Sequence, residues 1–140
     1  MILRIKKLDP AAKLPSRAHE YDAGLDLYAL EKTILKSGER KAVRTGIALE
    51  IPEGYVGLIW DKSGIAIKEG IKTLGGVVDE GYRGEVLVGT INLSAEEYVF
   101  EAGHKVAQIL IQKVEQMEIE EVSELTDTTR GQGGFGSTGK

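Results

Sequence analysis

Short apolar and polar runs that favour β-strands occupy most of the chain. Apolar residues recur at every second position or form brief β-branched stretches, and no helical pattern extends beyond two turns. The pattern predicts strands at Met1–Lys6, Thr33–Lys36, Arg40–Val43, Gly46–Ile51, Tyr55–Trp60, Glu85–Leu93, Tyr98–Glu101 and Lys105–Val114.

The turns between these strands indicate how the strands are arranged. Turn-forming runs such as Lys36–Glu39, Pro52–Gly54 and Glu101–Gly103 separate them at short intervals. Apolar residues occupy both faces of Glu85–Leu93, so we expect this strand to be covered on both sides. This regular spacing of short strands and turns predicts an all-β fold with very little helix, built as an antiparallel sandwich, a jelly roll or a barrel.

The C-terminal part of the chain has a different composition. Glu115–Asp127 contains six acidic residues and no basic one, and Thr128–Lys140 is rich in glycine. Since Phe135 is the only bulky apolar side chain in that last segment, the segment cannot bury enough surface to order itself. We therefore predict a β domain at residues 1–127 and a flexible arm at residues 128–140.

The overall composition limits the possible chemistry. A chain of 140 residues with 41% hydrophobic residues is long enough for one domain with a proper core. The absence of cysteine excludes disulfides, thiolate zinc sites, iron–sulfur clusters and cysteine nucleophiles, and two histidines argue against an imidazole-rich metal site. Any bound metal is expected to be a hard ion held by oxygen atoms.

The distribution of charge bears on the choice of partner and compartment. The net charge is −4, with a balance of +2 over residues 1–70 and −6 over residues 71–140. A broad nucleic-acid surface is disfavoured, whereas a small anion at one focused site is allowed. Outside the C-terminal segment, no stretch free of charged residues is long enough to span a membrane, and Met1–Lys7 does not resemble an export signal. We expect a cytoplasmic protein with no membrane partner.

Two turns contain polar residues that could bind a ligand. Asp61–Gly64 follows a predicted strand and forms either a phosphate-binding turn or an ordinary one. Gly75–Glu85 forms either a hairpin with a solvated Asp79 or a pocket whose backbone edge pairs with a planar ligand. In the second case Asp79 acts as a base and Tyr82 as a wall, which suits hydrolysis without a covalent intermediate.

Two polar residues are flanked by apolar neighbours. Asp26 stands between Leu25 and Leu27, so it either faces water or belongs to a site. Gln108 lies within the apolar run Val106–Ile111, where its amide either makes a core hydrogen bond or takes part in a site.

The glycine-rich segment at residues 128–140, called the tail here, also has two interpretations. Gly131–Gly136 fits the G-x-G-x-x-G phosphate motif, but no helix follows for the motif to open, so a dinucleotide-binding interpretation is rejected. The tail is either disordered or an arm in which Arg130 and nearby hydroxyl groups wrap a polyphosphate while Phe135 stacks on a base.

Taken together, five segments in order along residues 23–139 resemble the five motifs of the trimeric dUTP pyrophosphatases (dUTPases). A single such segment is weak evidence, whereas five collinear ones are strong. The segments are Ala23–Ala29, Pro52–Gly57 with Lys62–Ala66, Gly76–Asp79 with Tyr82–Glu85, Gly103–Gln108 and Arg130–Gly139.

The resemblance implies a jelly-roll or β-clip subunit assembled as a homotrimer, with three active sites each built from all three chains. One subunit contributes Asp79 and Tyr82, and a neighbour contributes Lys62–Gly64 with Asp26 and Gln108. The third subunit closes its C-terminal arm over the site, which excludes water from the site before the reaction.

The resemblance further implies hydrolysis of dUTP to dUMP and pyrophosphate, which keeps uracil out of DNA and supplies dUMP for dTTP synthesis. Asp79 is the catalytic residue and activates the water that attacks the α-phosphorus.

The resemblance also implies how the metal and the substrate are bound: Mg²⁺ bridges the phosphates, and Asp26 and Gln108 reach it through water. Lys62 stands where the family more often has arginine, Gly81 where an acidic residue is common, and Thr73 where some members have an asparagine near the base. The implied substrate-binding residues are Lys62, Ser63, Gly64, Thr73, Val77, Val78, Tyr82, Gln108, Arg130, Phe135, Gly136, Ser137 and Thr138.

Two other functions are compatible with such a fold. One is that of a dCTP deaminase-like or bifunctional relative, although a glycine-rich arm is a dUTPase feature. The other is that of a trimer that binds a nucleotide without turnover, against which the retention of Asp79, Asp26 and Arg130 argues.

Overall fold

Antiparallel strand pairing dominates the computed structural model, which describes residues 1–134. Within those residues, ten strands and one short helix follow one another along the chain. They are β1 (Arg4–Lys7), β2 (Leu25–Tyr28), β3 (Thr33–Leu35), β4 (Arg40–Glu50), β5 (Tyr55–Trp60), α1 (Ser63–Glu69), β6 (Ile71–Leu74), β7 (Val77–Val78), β8 (Glu85–Asn92), β9 (Tyr98–Phe100) and β10 (Lys105–Lys113).

Two four-stranded sheets make up the body of the fold. The first has the strand order β1-β4-β8-β6 and the second the order β2-β10-β5-β7, and β3 pairs with β9 separately. Every pairing is antiparallel. Strands distant in sequence are neighbours in both sheets, as in a jelly roll, so the predicted all-β class is confirmed.

The core lies between the inner faces of the sheets. Leu27, Val43, Phe100 and Ile109 are completely buried there. Strand β8 alternates strictly: its inward side chains are buried, whereas Leu87 is 46% exposed on its outer face. The expectation that β8 is covered on both faces is wrong for the single chain, because Leu87 on the outer face is exposed and the other outward residues are only half-buried.

Strand β4 merges two predicted strands, Arg40–Val43 and Gly46–Ile51, into one. The register with β8 shifts between Arg44 and Ala48, which marks a β-bulge. Gly46 lies in the bulge at φ +69°, and a Cβ atom there would approach Ala12 and Leu30 to 2.9 Å. The bulge interrupts the alternation of apolar positions, which is why the sequence pattern indicates two strands.

The hydrophobic pattern does not predict β2, β6, β7 or α1. These strands have two to four residues and the helix has seven. Within residues 1–134, no helix is both long and apolar enough to span a membrane. No strand or helix follows β10 within residues 114–134, and residues 114–132 are exposed.

Candidate active site

One cavity, of about 230 Å³, collects most of the residues expected to bind the base and attack the substrate. Asp79 is exposed, Val78 is buried and Val77 is 68% exposed. Strand β7 pairs with β5 on one side only, because it is the last strand of its sheet in residues 1–134. Its other edge leaves backbone N–H and C=O groups for a ligand. The residues lining the cavity are Ile59, Gly76, Val77, Val78, Asp79, Tyr82, Glu85, Val86 and Leu87.

Glycine shapes the approach of the chain to this cavity. Gly76 has φ +114°, and a Cβ atom there would lie 2.7 Å from the backbone oxygen of Ile59. The backbone nitrogen of Ile59 donates to the oxygen of Gly76 at 2.7 Å. Only a residue without a Cβ atom fits so close to β5, so glycine at this position sets where β7 begins.

A turn after β7 holds Asp79 and Tyr82 on the same side. The backbone nitrogen of Tyr82 donates to the backbone oxygen of Asp79 at 3.1 Å, and the Tyr82 hydroxyl donates to the backbone oxygen of Glu85 at 2.9 Å. The ring lies over Gly84, where a Cβ atom would overlap it. Glu80 accepts a hydrogen bond from the nitrogen of Gly54 at 2.6 Å, which joins the turn to the loop before β5.

A second group of residues gathers around Asp26 in β2. Asp26 is only 4% exposed, so the alternative in which it simply faces water is wrong. Lys62 Nζ donates to Asp26 Oδ1 at 2.5 Å, and Lys105 Nζ lies 2.6 Å from Oδ2. The second contact is a close ion pair, and Oδ2 has no other polar partner among the described residues.

The charges of this group affect the titration of Asp26. Burial raises the pKa of the Asp26 carboxyl, but hydrogen bonds and charge from Lys105 and Lys62 outweigh burial and hold the pKa below its ordinary value of 3.8. The same contact with Asp26 raises the pKa of the Lys105 ammonium. Two cations around one carboxylate leave the cluster with a net charge of about +1, which suits an anionic ligand.

Gln108 belongs to the same group. It is opposite Asp26 on one side and Trp60 on the other in the strand registers, so these three side chains share one face of the sheet. Gln108 Nε2 donates to the backbone oxygen of Asp61 at 2.9 Å. A Cβ atom at Gly24 would overlap Gln108 Oε1. A cavity of about 490 Å³ lies here, lined by Asp22, Ala23, Gly24, Trp60, Asp61, Gln108 and Leu110.

The predicted turn at Asp61–Gly64 is partly helical. Lys62 is the N-cap residue of α1, and Ser63 and Gly64 are its first two residues, both exposed. The contact between Lys62 and Asp26 brings this junction to the second cavity.

Thr73 also belongs to the second group. We expected it near the base, but its hydroxyl and its backbone nitrogen both donate to Asp61 Oδ1 at 2.7 Å. It does not line the cavity that contains Asp79.

The single chain does not join the two groups. The two cavities share no lining residue, and no side-chain hydrogen bond or ion pair within residues 1–134 connects Asp79 or Tyr82 with Asp26 or Gln108. The adjacent β5 residues Ile59 and Trp60 line different cavities, because successive strand residues face opposite ways.

The C-terminal residues of the expected site contribute little to this arrangement. Arg130 is exposed, and its Nε donates to the backbone oxygen of Gly133 at 2.8 Å. Phe135, Gly136, Ser137 and Thr138 lie outside the described residues.

Sequence reasoning missed two members of the second group, Lys105 and Asp61. The only signal for Lys105 is its place in the segment that also contains Gln108. Asp61 precedes Lys62 in the predicted phosphate-binding turn, but its role depends on contacts with β6 and β10, which the sequence pattern does not indicate.

The structure bears on how a metal ion could be held. Among residues 1–134, no three His, Cys, Asp or Glu side chains come together as a metal-binding cluster. Asp26 Oδ2 has no polar partner besides Lys105 among those residues and Gln108 provides an amide oxygen, so both can accept hydrogen bonds from water on an ion. These residues fit a hydrated hard cation held mainly by its ligand, such as Mg²⁺ on phosphates.

Comparison with known proteins adds an independent line of evidence. Residues 11–139 match the dUTPase family model. The deoxyuridine 5'-triphosphate nucleotidohydrolase of Clostridium kluyveri is 48% identical over 141 residues, covering 99% of each chain. The enzyme of the same name from Mycobacterium leprae is 48% identical, covering 98% of this chain and 94% of its own.

Solved structures are similar over the same length. A variant of the Staphylococcus bacteriophage 80alpha dUTPase with dUpNHpp superimposes with a TM-score of 0.94 and 29% identity, covering 99% of each chain. A variant of the dUTPase from phage phi11 of S. aureus, described with a structural Mg(II) ion, has a TM-score of 0.85 and 27% identity. It covers 91% of this chain and all of its own.

Proposed function

The chain belongs to the dUTPase family, and from this premise we propose that it hydrolyses dUTP to dUMP and pyrophosphate. The observation that carries the proposal is the exposed Asp79 carboxylate in a cavity walled by the free edge of β7 and by Tyr82. The reaction would keep uracil out of DNA and supply dUMP for dTTP synthesis.

The cavity around Asp79 binds the nucleoside in this proposal. The unpaired edge of β7 at Val77 and Val78 offers backbone donors and acceptors to the edge of uracil. The Tyr82 ring is held over Gly84 and limits the space beside the sugar, so a ribose hydroxyl is excluded. Discrimination by hydrogen-bond pattern is sharper than discrimination by a methyl group, which favours uracil over cytosine more strongly than over thymine.

Asp79 performs the chemical step. Its carboxylate accepts a hydrogen bond from a water molecule and takes the proton as the water oxygen attacks the α-phosphorus. The new P–O bond forms while the bond from the α-phosphorus to the bridging oxygen breaks, and pyrophosphate leaves with that electron pair. No nucleophilic side chain is needed, in keeping with the absence of cysteine.

The group around Asp26 binds the phosphates. Lys62 and Lys105 provide positive charge, Ser63 provides a hydroxyl, and Arg130 with Ser137 and Thr138 adds donors from the arm. Mg²⁺ bound to the phosphates would neutralise their charge during the reaction. Asp26 and Gln108 would accept hydrogen bonds from the water molecules of that ion.

A homotrimer with shared sites supplies what one chain lacks. The Asp79 cavity and the Asp26 group are separate in the single chain, so one copy must place its Asp79 cavity against the second group of another. Leu87 on the outer face of β8 and Leu93 just after this strand are exposed and offer apolar surface for that contact. Residues 1–127 form the domain in this proposal, and residues 128–140 close over a neighbouring subunit's site with Phe135 and Gly136 at the base.

The central experiment measures pyrophosphate release from dUTP, dTTP, dCTP and UTP with Mg²⁺ and again with EDTA. We expect Mg²⁺-dependent release from dUTP alone. Release from dTTP at the same rate would contradict the uracil slot at β7. Deamination of dCTP would favour the deaminase alternative, and binding of dUTP without any release would favour the non-catalytic one.

A complementation experiment tests the shared site. Asp79→Asn and Lys62→Met variants are each expected to be nearly inactive, and co-expression produces trimers in which some sites combine an intact Asp79 with an intact Lys62 from another chain. Random mixing of equal amounts restores about a quarter of the sites. If each site were instead formed within one chain, every site in the mixture would carry one of the two substitutions and remain inactive. Trimers of Asp79→Asn alone, at the same total concentration, serve as the control.

A further inference from the structure

Four contacts converge on Asp61, the residue between β5 and the N-cap of α1. Its Oδ1 accepts hydrogen bonds from the backbone nitrogen and the hydroxyl of Thr73, both at 2.7 Å. Its Oδ2 lies 2.8 Å from Lys72 Nζ. Its backbone oxygen accepts a hydrogen bond from Gln108 Nε2 at 2.9 Å. Asp61 therefore holds three segments of the chain at one point.

The contacts with Thr73 and Lys72 connect two sheets that no backbone ladder joins within the described residues. Asp61 follows β5 in one sheet, whereas Thr73 lies in β6 at the edge of the other sheet. Gln108 lies in the middle of β10, and its bond to Asp61 fixes which way the side-chain amide points. The position of the β5–α1 junction and the orientation of the Gln108 amide thus depend on the same residue.

The helix that follows Asp61 has few contacts of its own. α1 has seven residues, none of them buried, and Lys62 makes no side-chain capping hydrogen bond. Such a short helix is not stable by itself. Its first residues are held by the bond from Lys62 Nζ to Asp26 Oδ1, by the packing of Ile65 against the core and by Asp61, which precedes the N-cap and has bonds to β6.

We propose that Asp61 is a positioning residue for the phosphate half of the site, acting through the Lys62–Ser63 junction and the Gln108 amide. The inference rests on the proposed function, in which those groups bind the phosphates of dUTP. Thr73 shares this role, because it donates both hydrogen bonds to Asp61 Oδ1. The pair Lys72–Asp61 is half exposed on the lysine side and contributes little to the position of the junction.

The proposal predicts a defect confined to phosphate binding. Replacing Asp61 by alanine removes the acceptor for Thr73, so we expect the KM for dUTP to rise about 10-fold or more, since small displacements of binding groups are costly. Binding of dUMP depends mainly on the cavity around Asp79, which Asp61 does not line, and should change less than about twofold. The kcat should fall less than kcat/KM.

Matched variants separate positioning from charge and from folding. Asp61→Asn keeps an oxygen that can accept from Thr73 and loses only the charge that faces Lys72, so it should restore most of the affinity for dUTP. Thr73→Val should show a weaker form of the alanine defect. Lys72→Met removes the ion pair with Asp61 and an exposed hydrogen bond to the backbone oxygen of Thr73, and it should behave as the wild type in all measurements.

Binding is measured directly in an Asp79→Asn background, where turnover cannot interfere. Trp60 is the only tryptophan, is 55% exposed and lines the cavity beside Asp61, so its fluorescence reports titrations with Mg²⁺ and either dUTP or dUMP. Weaker binding of dUTP with unchanged dUMP binding and an unchanged melting temperature supports the proposal. Equal losses for both nucleotides, or no loss for dUTP, overturn it. Absence of pyrophosphate release by the wild type would instead refute the proposed function. The two failures can be told apart, because the binding titrations do not depend on turnover.

Discussion

The two halves of the site are built in different ways. The cavity of Asp79 is shaped by backbone: Gly76 lets the chain pass close to β5, and an unpaired strand edge forms one wall. The group around Asp26 is shaped by side chains, where two lysines hold one buried carboxylate. A backbone cavity is sensitive to added atoms, whereas a charged cluster is sensitive to lost charges, and the two can be altered separately.

The largest effect is expected from the group that acts on the water. Asp79→Asn should lower kcat by about 10²- to 10⁴-fold, because the amide cannot accept the proton. Binding of dUTP should be retained, since the cavity and the lysines are unchanged. Pyrophosphate release and a Trp60 fluorescence titration measure the two properties separately. A variant that retained most of its turnover would show that another group activates the water.

An added methyl group should break the backbone half. Gly76→Ala combines a positive φ with a Cβ atom 2.7 Å from the oxygen of Ile59, so we expect a loss of stability of about 2–3 kcal/mol. Gly75→Ala is the matched control, because φ there is +71° and nothing lies within 4 Å of the added atom. Urea unfolding of both variants isolates the cost of the clash. Equal losses would show that close approach to β5 does not constrain position 76.

Loss of one cation should weaken the charged half without affecting the other. Lys105→Met leaves Asp26 with Lys62 alone and reduces the net charge of the cluster to about zero, so the KM for dUTP should rise about 10-fold. Binding of dUMP should change little.

Two controls accompany the Lys105 variant. Lys105→Arg should restore most of the affinity, and Lys32→Met removes an exposed cation elsewhere on the surface. The wild-type KM should also depend more steeply on salt than that of Lys105→Met. Identical salt dependence in both proteins would argue that Lys105 does not contribute to the field at the phosphates.

The smallest expected effect is a loss of stability in acid. Asp26 has a pKa below 3.8, and Asp61 does too, because burial raises its pKa less than hydrogen bonds from Lys72 and Thr73 lower it. Each carboxylate therefore contributes stability that is complete above pH 3.8 and is lost as the pH falls through its folded-state pKa. Urea midpoints should decrease between pH 7 and about pH 3.

A substitution identifies the source of that decrease. Asp26→Asn lacks one of the carboxylates whose pKa is lowered, so its midpoint should fall less between the same pH values than that of the wild type. Asp127→Asn, in the exposed segment after β10, is the control and should follow the wild type. An unchanged slope in Asp26→Asn would mean that the contact with the lysines does not depend on the charge of Asp26.

The accuracy of the sequence predictions differs between the parts of the site. The family resemblance and the all-β fold are confirmed by the comparisons and by the strand pairings. The Gly75–Glu85 segment forms the predicted cavity with Asp79, Val77 and Tyr82, because the residues that make it are close in sequence. The roles of the individual residues remain predictions until the variants are measured.

Other features were not accessible to sequence reasoning. A solvated Asp26 was one of two possibilities, and only the side-chain contacts from the N-cap of α1 and from β10 show that two lysines cover it. The expected position of Thr73 near the base follows from the family pattern, whereas its bonds are to Asp61. Each of these contacts joins residues on different strands, and strand order cannot be derived from alternation alone.

The sequence by itself determined the β-rich class, the family and the residues of the local turns, because alternation, glycine placement and motif order are properties of neighbouring residues. Only the tertiary structure decided that Asp26 is buried between Lys62 and Lys105, that Asp61 joins two sheets through Thr73, and that the two cavities remain apart in one chain. Those features depend on which distant strands pair and in which register, and pairing is selected by the burial of the whole core.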